Sequence, residues 1–206
     1  MVSCVNNFTT YTLKNMIKQL IYLFVGFSLF TSSIKAQHTH TEATSKHEST
    51  QQIASNQAPE AFSTILTEVY KSSQQLNEAL ISSDAKKAQQ AVPAIKKALT
   101  EVDMNLLKGK AHTDWMNYLQ TMNTSLEKIS GEDKIKNQRK QFATFNEALY
   151  KSLKTFGIAG EQAYYQYCPM ALEGEGAYWL SNTKQIRNPY QGEKMLTCGS
   201  TKEVLK

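Results

Sequence analysis

The stretch PEAFSTILTEVYKSSQQLNEALISS, residues 59–83, repeats apolar side chains at intervals of three, four or seven positions. This spacing places the apolar side chains on one face of an α-helix, and Pro59 precedes them where a first turn tolerates proline. The stretch therefore predicts a helix over about residues 60–82. The members of the stripe are Phe62, Ile65, Leu66, Val69, Leu76 and Leu80.

Three further stripes of the same kind follow along the chain. They predict helices over about residues 84–107, 110–130 and 132–157. Asp84 is the expected N-cap of the second helix, and Pro93 is expected to kink or divide it because proline supplies no backbone N–H. Four amphipathic helices with short connections predict an all-α fold, a four-helix up-and-down bundle.

The composition changes after Gly160, where tyrosine, tryptophan and glycine become frequent. Residues 160–206 are predicted to form an irregular, aromatic-rich cap against the bundle, with room for one short hairpin that would include Tyr164 to Tyr167. Long irregular segments of compact proteins are often functional. Residues 59–206 are accordingly expected to form one helical domain with a C-terminal cap.

The beginning of the chain has the order of a secretory signal. Lys14 and Lys18 precede an apolar run over residues 20–30, and small and polar residues lead from it to Ala36. The run is about half of the roughly 20 residues that span a bilayer. We therefore expect residues 1–36 to be a signal peptide, cleaved near Ala36, and the protein to be periplasmic. The alternative is an uncleaved segment that anchors the chain in the membrane.

Residues 37–58 are polar, with almost no large apolar side chain, which predicts a disordered linker. His38, His40 and His47 lie in this linker, and their role is left open between loose metal capture and a solubilising tail.

Charge and motifs exclude several classes of function. The formal charge of the whole chain is +5, and removing the three lysines of residues 1–36 lowers it to +2, so electrostatics gives no argument for nucleic acid. The sequence has no Gly-x-Ser-x-Gly elbow, no phosphate-binding glycine loop and no His-Glu-x-x-His pair. We expect a protein that is not an enzyme.

Sulfur is concentrated in the cap. Cys168 is followed by Met170, and Cys198 is preceded by Met195. Thiolates and thioethers are soft donors that select Cu(I), and thiolates also bind zinc. In an oxidising compartment Cys168 and Cys198 form a disulfide instead, worth roughly 3–4 kcal/mol in the chain-entropy model.

The predicted third helix adds a further pair of donors. His112 and Met116 are four residues apart and so project from one helical face. Together with Cys168, Cys198, Met170 and Met195, they complete a mixed nitrogen and sulfur site that suits Cu(I). Zinc remains the expected ion if only cysteine and histidine bind.

The cap also resembles a known family. The runs Tyr165–Ala171, Gly176–Ser181, Ile186–Tyr190 and Lys194–Gly199 are similar to the C-terminal signature of an uncharacterised bacterial domain family, typical of Bacteroidetes. That family is exported, and it occurs alone or fused to efflux-adaptor proteins for copper and other heavy metals. Tyr-x-Cys-Pro-Met also resembles the opening of a small heavy-metal-binding motif, although Ala171 stands where that motif has histidine.

Two hypotheses follow from the residues and the resemblance. The first is a periplasmic protein that binds Cu(I) for heavy-metal efflux or resistance. The second is an interaction module, stapled by a Cys168–Cys198 disulfide, that docks on an efflux adaptor or another envelope protein without metal.

Overall fold

The computed structural model of the protein describes residues 58–206. The predicted signal peptide, residues 1–36, and the linker with His38, His40 and His47 lie outside the described residues, except for the linker's last residue. In the part that is described, no helix combines the length and the apolar character needed to cross a membrane.

Four long helices form the larger part of the described chain. They are α1 (Glu60–Ile81), α2 (Ala85–Thr100), α3 (Gly109–Ser130) and α4 (Ile135–Phe156). Each helix packs against the next, and α4 also packs against α1. Because the connections between these helices are short, neighbouring helices run antiparallel. The predicted helical bundle is confirmed.

The bundle is held by the apolar faces that the sequence spacing predicted. Its buried side chains come from all four helices and include Phe62, Leu66, Leu76, Leu80, Ile95, Trp115, Met122, Leu126, Phe142, Phe145 and Leu149. At one end of the bundle, the ring of Trp115 packs edge-on against Phe62 at 5.2 Å between centroids, and Phe156 packs against Phe62 at 5.0 Å. Aromatic edge-to-face contacts of this kind add to the energy of burial.

The second helix begins as predicted, is not divided at Pro93, and ends earlier than predicted. Asp84 does cap it, because its carboxylate accepts a hydrogen bond from the Lys87 N–H at 2.9 Å. The helix runs through Pro93 without dividing, but it ends at Thr100 rather than near residue 107. Asp103 accepts a hydrogen bond from the Asn105 N–H at 2.9 Å and starts a separate 3-10 helix, Met104–Leu106. Short polar side chains favour helix starts and turns in this way, by pairing with nearby backbone groups.

The C-terminal region contains a three-stranded sheet, so the all-α prediction holds for the bundle but not for the cap, where only one short hairpin was expected. Strands β1 (Ala163–Cys168), β2 (Ala177–Ser181) and β3 (Ser200–Leu205) form an antiparallel sheet in the order β2-β1-β3. Tyr167 pairs with Tyr178 on one side and with Ser200 on the other. The strands are short and their pairing joins distant parts of the sequence, which local periodicity does not report. The fold is a helical bundle with a small sheet in the cap.

The outer edge of β2 lies against α4. The buried Asn146 of α4 accepts a hydrogen bond from the Leu180 N–H at 3.0 Å, and the Tyr190 hydroxyl donates to the Tyr178 carbonyl at 2.5 Å. Both contacts satisfy backbone groups that an edge strand otherwise leaves unpaired. They fix the sheet, and with it the end of β1, at a defined position on the bundle.

Arg139 joins the bundle to the loop that follows β2. Its guanidinium donates to the carbonyls of Pro189 at 2.7 Å and Leu80 at 2.9 Å, and to the Ser83 hydroxyl at 2.9 Å. Burial lowers the pKa of Arg139. One side chain therefore ties together α4, the end of α1 and the cap.

Candidate functional site

Cys168 and Cys198 meet at the end of β1. Cys168 is the last residue of β1 and is fully buried, whereas Cys198 lies two residues before β3 and is partly exposed. Both are free thiols in the structure, and they face each other closely enough for a thiol–thiol hydrogen bond. The sheet therefore brings together two donors that are far apart in sequence, and we call them the cysteine pair.

The sulfur of Cys198 has two polar neighbours with opposite effects. The hydrogen bond that the Cys198 thiol donates to Cys168 is the main cause that raises the pKa of Cys198, and burial adds to it. The backbone N–H of Met170 donates to the same sulfur and lowers its pKa. Hydrogen bonds from backbone N–H groups to sulfur also tune metal-bound thiolates. The turn after Cys168 thus supplies a donor suited to a negatively charged sulfur.

Asn188 fixes the segment that carries Cys198. Its side-chain amide donates to the Cys198 carbonyl at 2.9 Å, while its backbone N–H donates to the Leu196 carbonyl at 2.8 Å. Its side-chain oxygen accepts from the N–H groups of Tyr190 at 2.8 Å and Gln191 at 3.2 Å. Asn188 is completely buried, and all these contacts lie within the cap. It sets the position of Cys198 by connecting two loops.

Gly199 allows the chain after Cys198 to approach β1. Its φ of +143° is unfavourable for other residues, and a Cβ there would lie 2.8 Å from the Trp179 ring and 2.9 Å from the Tyr167 carbonyl. Trp179 is completely buried. Close backbone approach at Gly199 is therefore a condition for the contact between the two thiols.

The loop after Met170 contains two residues in a sparsely populated conformation. Leu172 and Glu173 have φ values of 52° and 66°, in the left-handed region that disfavours residues other than glycine. Lys136 of α4 holds Glu173 through an ion pair of 2.5 Å, which lowers the pKa of Glu173. Such conformations cluster at functional sites, since they persist only where the surrounding structure imposes them.

Both predicted methionines lie near the cysteine pair and face solvent in part. Met170 is 52% exposed and Met195 is 39% exposed. The Met195 carbonyl accepts a hydrogen bond from the Cys198 N–H at 3.0 Å, and the Met170 carbonyl accepts from the Gln191 side chain at 2.6 Å. The main chain of both residues is thus fixed by hydrogen bonds, and their side chains lie at the surface.

The structure does not bring His112 and Met116 to the cysteine pair. The cap reaches the first turns of α4, where Lys136 binds Glu173 and Arg139 binds Pro189. His112 instead lies in the first turn of α3, at the end of the bundle where Ala111 and Phe156 line one depression. At 1.5 Å per residue, α3 rises about 27 Å between His112 and Ser130, its last residue. The six predicted donors therefore fall into two groups, one at each end.

The donors at the cysteine pair favour a soft ion. Two sulfurs that can lose their protons and two nearby thioethers match the preference of Cu(I). Structural zinc takes four ligands, mostly cysteine and histidine. Within residues 58–206 there is no group of three or more His, Cys, Asp or Glu side chains placed to hold a metal. Cu(I), unlike zinc, also accepts thioethers such as those of Met170 and Met195.

The sequence did not point to Asn146, Tyr150 or Met104. Asn146 and Tyr150 lie on α4 and contact the sheet, with the Tyr150 ring stacked on Tyr165 at 3.7 Å between centroids. Both lie on a helix with no motif around them, so the sequence pattern gave no sign that they contact the sheet. Met104 lies in the short 3-10 helix, which the sequence analysis assigned to the end of α2.

Comparison with known proteins identifies one family. Residues 69–161 match the model of a family described as a protein of unknown function, DUF3347. The match covers less than half of the chain, from within α1 to just before β1, and therefore supports an uncharacterised domain family. It includes His112 and Met116 and ends before Cys168. No curated protein and no solved structure matches the chain.

Proposed function

We propose that this protein is an exported, non-enzymatic Cu(I)-binding protein that uses Cys168 and Cys198 as its primary ligands. The single observation that carries the proposal is the contact between the two thiols, one buried and one partly exposed, at the end of β1. Two thiolates suffice to hold Cu(I), which prefers soft donors.

The surroundings of the cysteine pair support this assignment. Met170 contributes a backbone N–H to Cys198, and Asn188 holds the segment through the Cys198 carbonyl. A metal site needs neighbours of this kind to orient its ligands. Met170 and Met195, whose side chains are partly exposed, are the proposed first contacts for an incoming ion.

The proposed role is the storage, transfer or efflux of copper or another heavy metal in the periplasm. The order of residues 1–36 supports export, and the resemblance of the cap to a family fused to efflux adaptors supports an efflux adaptor as partner. Zinc is the second ion that thiolates bind, and it is the less favoured one here.

Titration of the reduced full chain with Cu(I) against a competing chelator, without oxygen, tests the proposal. We expect tight binding that depends on both cysteines. Replacing Cys198 by serine and Cys168 by alanine should each weaken it by at least about tenfold, because losing even an outer-shell partner of a metal costs roughly 10–100-fold. Alanine is chosen at the buried position because it places no unpaired hydroxyl there.

Circular dichroism of each variant checks that the fold is retained. The matched control is Met122→Leu, which changes a fully buried methionine far from solvent and should leave Cu(I) affinity as in the wild type. Unchanged affinity in a folded Cys168→Ala/Cys198→Ser variant would contradict the proposal.

The same contact between thiols also supports a second candidate function. Adjacent thiols in an oxidising compartment can form a disulfide, which would staple the Cys198 segment to β1. The protein would then act as an interaction module that docks on an efflux adaptor or another envelope protein without binding metal. This candidate predicts no free thiol in the exported protein and no tight Cu(I) binding.

A further inference from the structure

The exposure of the methionines follows a pattern that extends beyond the cysteine pair. Five of the seven methionines lie among the described residues, and one of them, Met122, is completely buried in the bundle. The other four are between 38% and 52% exposed, although methionine ordinarily fills gaps in a core. Two of these four, Met170 and Met195, flank the cysteine pair.

The other two exposed methionines flank the only histidine of residues 58–206. Met104 is 38% exposed and lines, with His112, a surface depression of about 240 Å³ at the start of α3. Met116 is 39% exposed and lies one helical turn beyond His112, on the same face of α3. Both ends of the bundle thus present two exposed thioethers beside stronger donors.

We infer that Met104, His112 and Met116 form a second Cu(I) site, at the end of the bundle away from the cysteine pair. We call these three residues the His112 cluster. One imidazole nitrogen and two thioether sulfurs are a set of soft and borderline donors that carries no charge. It suits a singly charged soft ion better than zinc, which prefers thiolate, imidazole and carboxylate.

The local structure holds the three side chains on fixed backbone. The Asp103 carboxylate begins the 3-10 helix of Met104 by accepting from the Asn105 N–H at 2.9 Å. His112 and Met116 lie on α3, whose first turn is held by an ion pair of 2.5 Å between Lys110 and Asp114. The three side chains therefore project from regular elements, and sites built on such elements are positioned more accurately than sites on loops.

The neutral donors distinguish this site from the cysteine pair. Thiolates must lose protons to bind, so Cu(I) affinity at the cysteine pair falls as pH decreases. Thioethers have no proton to lose before they bind an ion. The His112 cluster, with neutral donors, should therefore bind more weakly than the cysteine pair, and its affinity should depend less on pH.

The inference extends the proposed function but does not depend on the cysteines. The test is a Cu(I) titration of the full chain with His38, His40 and His47 replaced by glutamine in every sample, so that His112 is the only imidazole. The methyl groups of the methionines are followed by NMR. A chain with Cys4→Ser, Cys168→Ala and Cys198→Ser has no cysteine and isolates the cluster, and the buried Met122 methyl is the internal control.

We expect one Cu(I) to bind this cysteine-free chain and to shift the Met104 and Met116 methyl resonances, while the Met122 resonance stays in place. His112→Ala should weaken that binding by at least about tenfold, by the scale of losses at metal sites. Met104→Leu and Met116→Leu, which conserve volume, should each weaken it as well while preserving the fold.

Two results would overturn the inference. One is Cu(I) binding to the cysteine-free chain without any shift of the Met104 and Met116 methyls. The other is the same affinity in the His112→Ala variant. Neither result bears on the cysteine pair, which is tested separately in a chain with intact cysteines and His112→Ala. Tight Cu(I) binding is expected there, and its absence would count against the cysteine pair and not against the His112 cluster.

Discussion

The helical bundle and the cap are held by different kinds of contact. In the bundle, apolar faces of α1–α4 pack together, and many side chains share the burial. In the cap, single side chains hold distant segments: Asn188 joins two loops, Asn146 binds β2, and Arg139 binds both the cap and α1. Many apolar side chains therefore share the stabilisation of the bundle, whereas a few polar side chains fix the positions of the cap segments.

The bundle and the cap also differ in how strictly their sequences are constrained. A bundle tolerates exchange of one apolar side chain for another of similar volume, so its sequence is constrained loosely. The cap requires particular atoms at particular places, such as the Asn188 amide or the missing Cβ of Gly199. A ligand site requires side chains that are held in defined positions, and the cap provides such support beside the two thiols.

The largest expected effect comes from the bundle core. Phe145 of α4 is completely buried, and Phe145→Ala should lower the free energy of unfolding by about 3–5 kcal/mol. Urea unfolding measures it, with the exposed Thr144→Ala as matched control, expected within about 0.5 kcal/mol of the wild type. Loss of helical and aromatic circular dichroism at different urea concentrations would show that the cap folds independently, against the contacts described here.

Alkaline pH is expected to lower the stability of the folded protein through buried tyrosines, two of which lie in the cap. Burial raises the pKa of Tyr165 and Tyr190 in the cap and of Tyr70 in α1 above the ordinary value of about 10. The folded protein then keeps phenol protons that the unfolded chain releases, so their contribution to stability is complete below about pH 10 and decreases as pH rises. Each such tyrosine costs about 1.4 kcal/mol per pH unit in that range.

Thermal unfolding between neutral and alkaline pH measures this loss, together with the ultraviolet absorbance of tyrosinate. Tyr190→Phe removes one ionising group and should make the decline in stability less steep, although it also removes the hydrogen bond to the Tyr178 carbonyl at all pH values. A decline of the same steepness in Tyr190→Phe would exclude Tyr190 as a contributor.

Replacing Asn188 should lower the free energy of unfolding less than Phe145→Ala does. It should also weaken Cu(I) binding. Asn188→Ala leaves the Cys198 carbonyl and the N–H groups of Tyr190 and Gln191 without their partner, which should cost about 1–3 kcal/mol. Cu(I) affinity should fall too, because the Cys198 segment loses its support.

The matched control for Asn188 is Asn182→Ala, a change of the same side chain at an exposed position of the cap. It should leave both stability and Cu(I) affinity near those of the wild type. Equal effects of the two substitutions would contradict the role assigned to Asn188.

The smallest effects are expected at the ion pairs between cap and bundle. Arg187 contacts Glu78, and Lys136 contacts Glu173, but all four side chains are at least one-third exposed. Arg187→Gln and Lys136→Gln should each change the free energy of unfolding by about 0–1 kcal/mol, and less at high salt. A loss above about 2 kcal/mol in urea unfolding would mean that the cap depends on charge more than its geometry suggests.

The bundle was predictable because its signal is local and repeated. The stripe from Phe62 to Leu80 defines a helix face without knowledge of any partner, and Asp84 marks a start by its own chemistry. The end of α2 was missed because Asp103 pairs with a backbone N–H two residues later, a choice that apolar spacing does not reveal.

The sheet and the division of the donors were not predictable for a different reason. Strand β1 pairs with β3 across more than thirty residues, and nothing local to Tyr167 indicates Ser200 as its partner. Likewise, His112 and Cys168 lie at different ends of the bundle, because the cap packs on the first turns of α4. Only the tertiary fold determines that contact. The residue types alone pointed to Cys168 and Cys198. The structure was needed to show that His112 lies away from them.

The state of the two thiols tests the central claim most directly. Protein recovered after export, without reductant, is alkylated before and after addition of one equivalent of Cu(I) and analysed by mass spectrometry. We predict that both Cys168 and Cys198 are alkylated in the metal-free protein and that Cu(I) protects both. A Cys168–Cys198 peptide pair lacking two hydrogens, or alkylation that Cu(I) leaves unchanged, would contradict the assignment of these residues as a metal site.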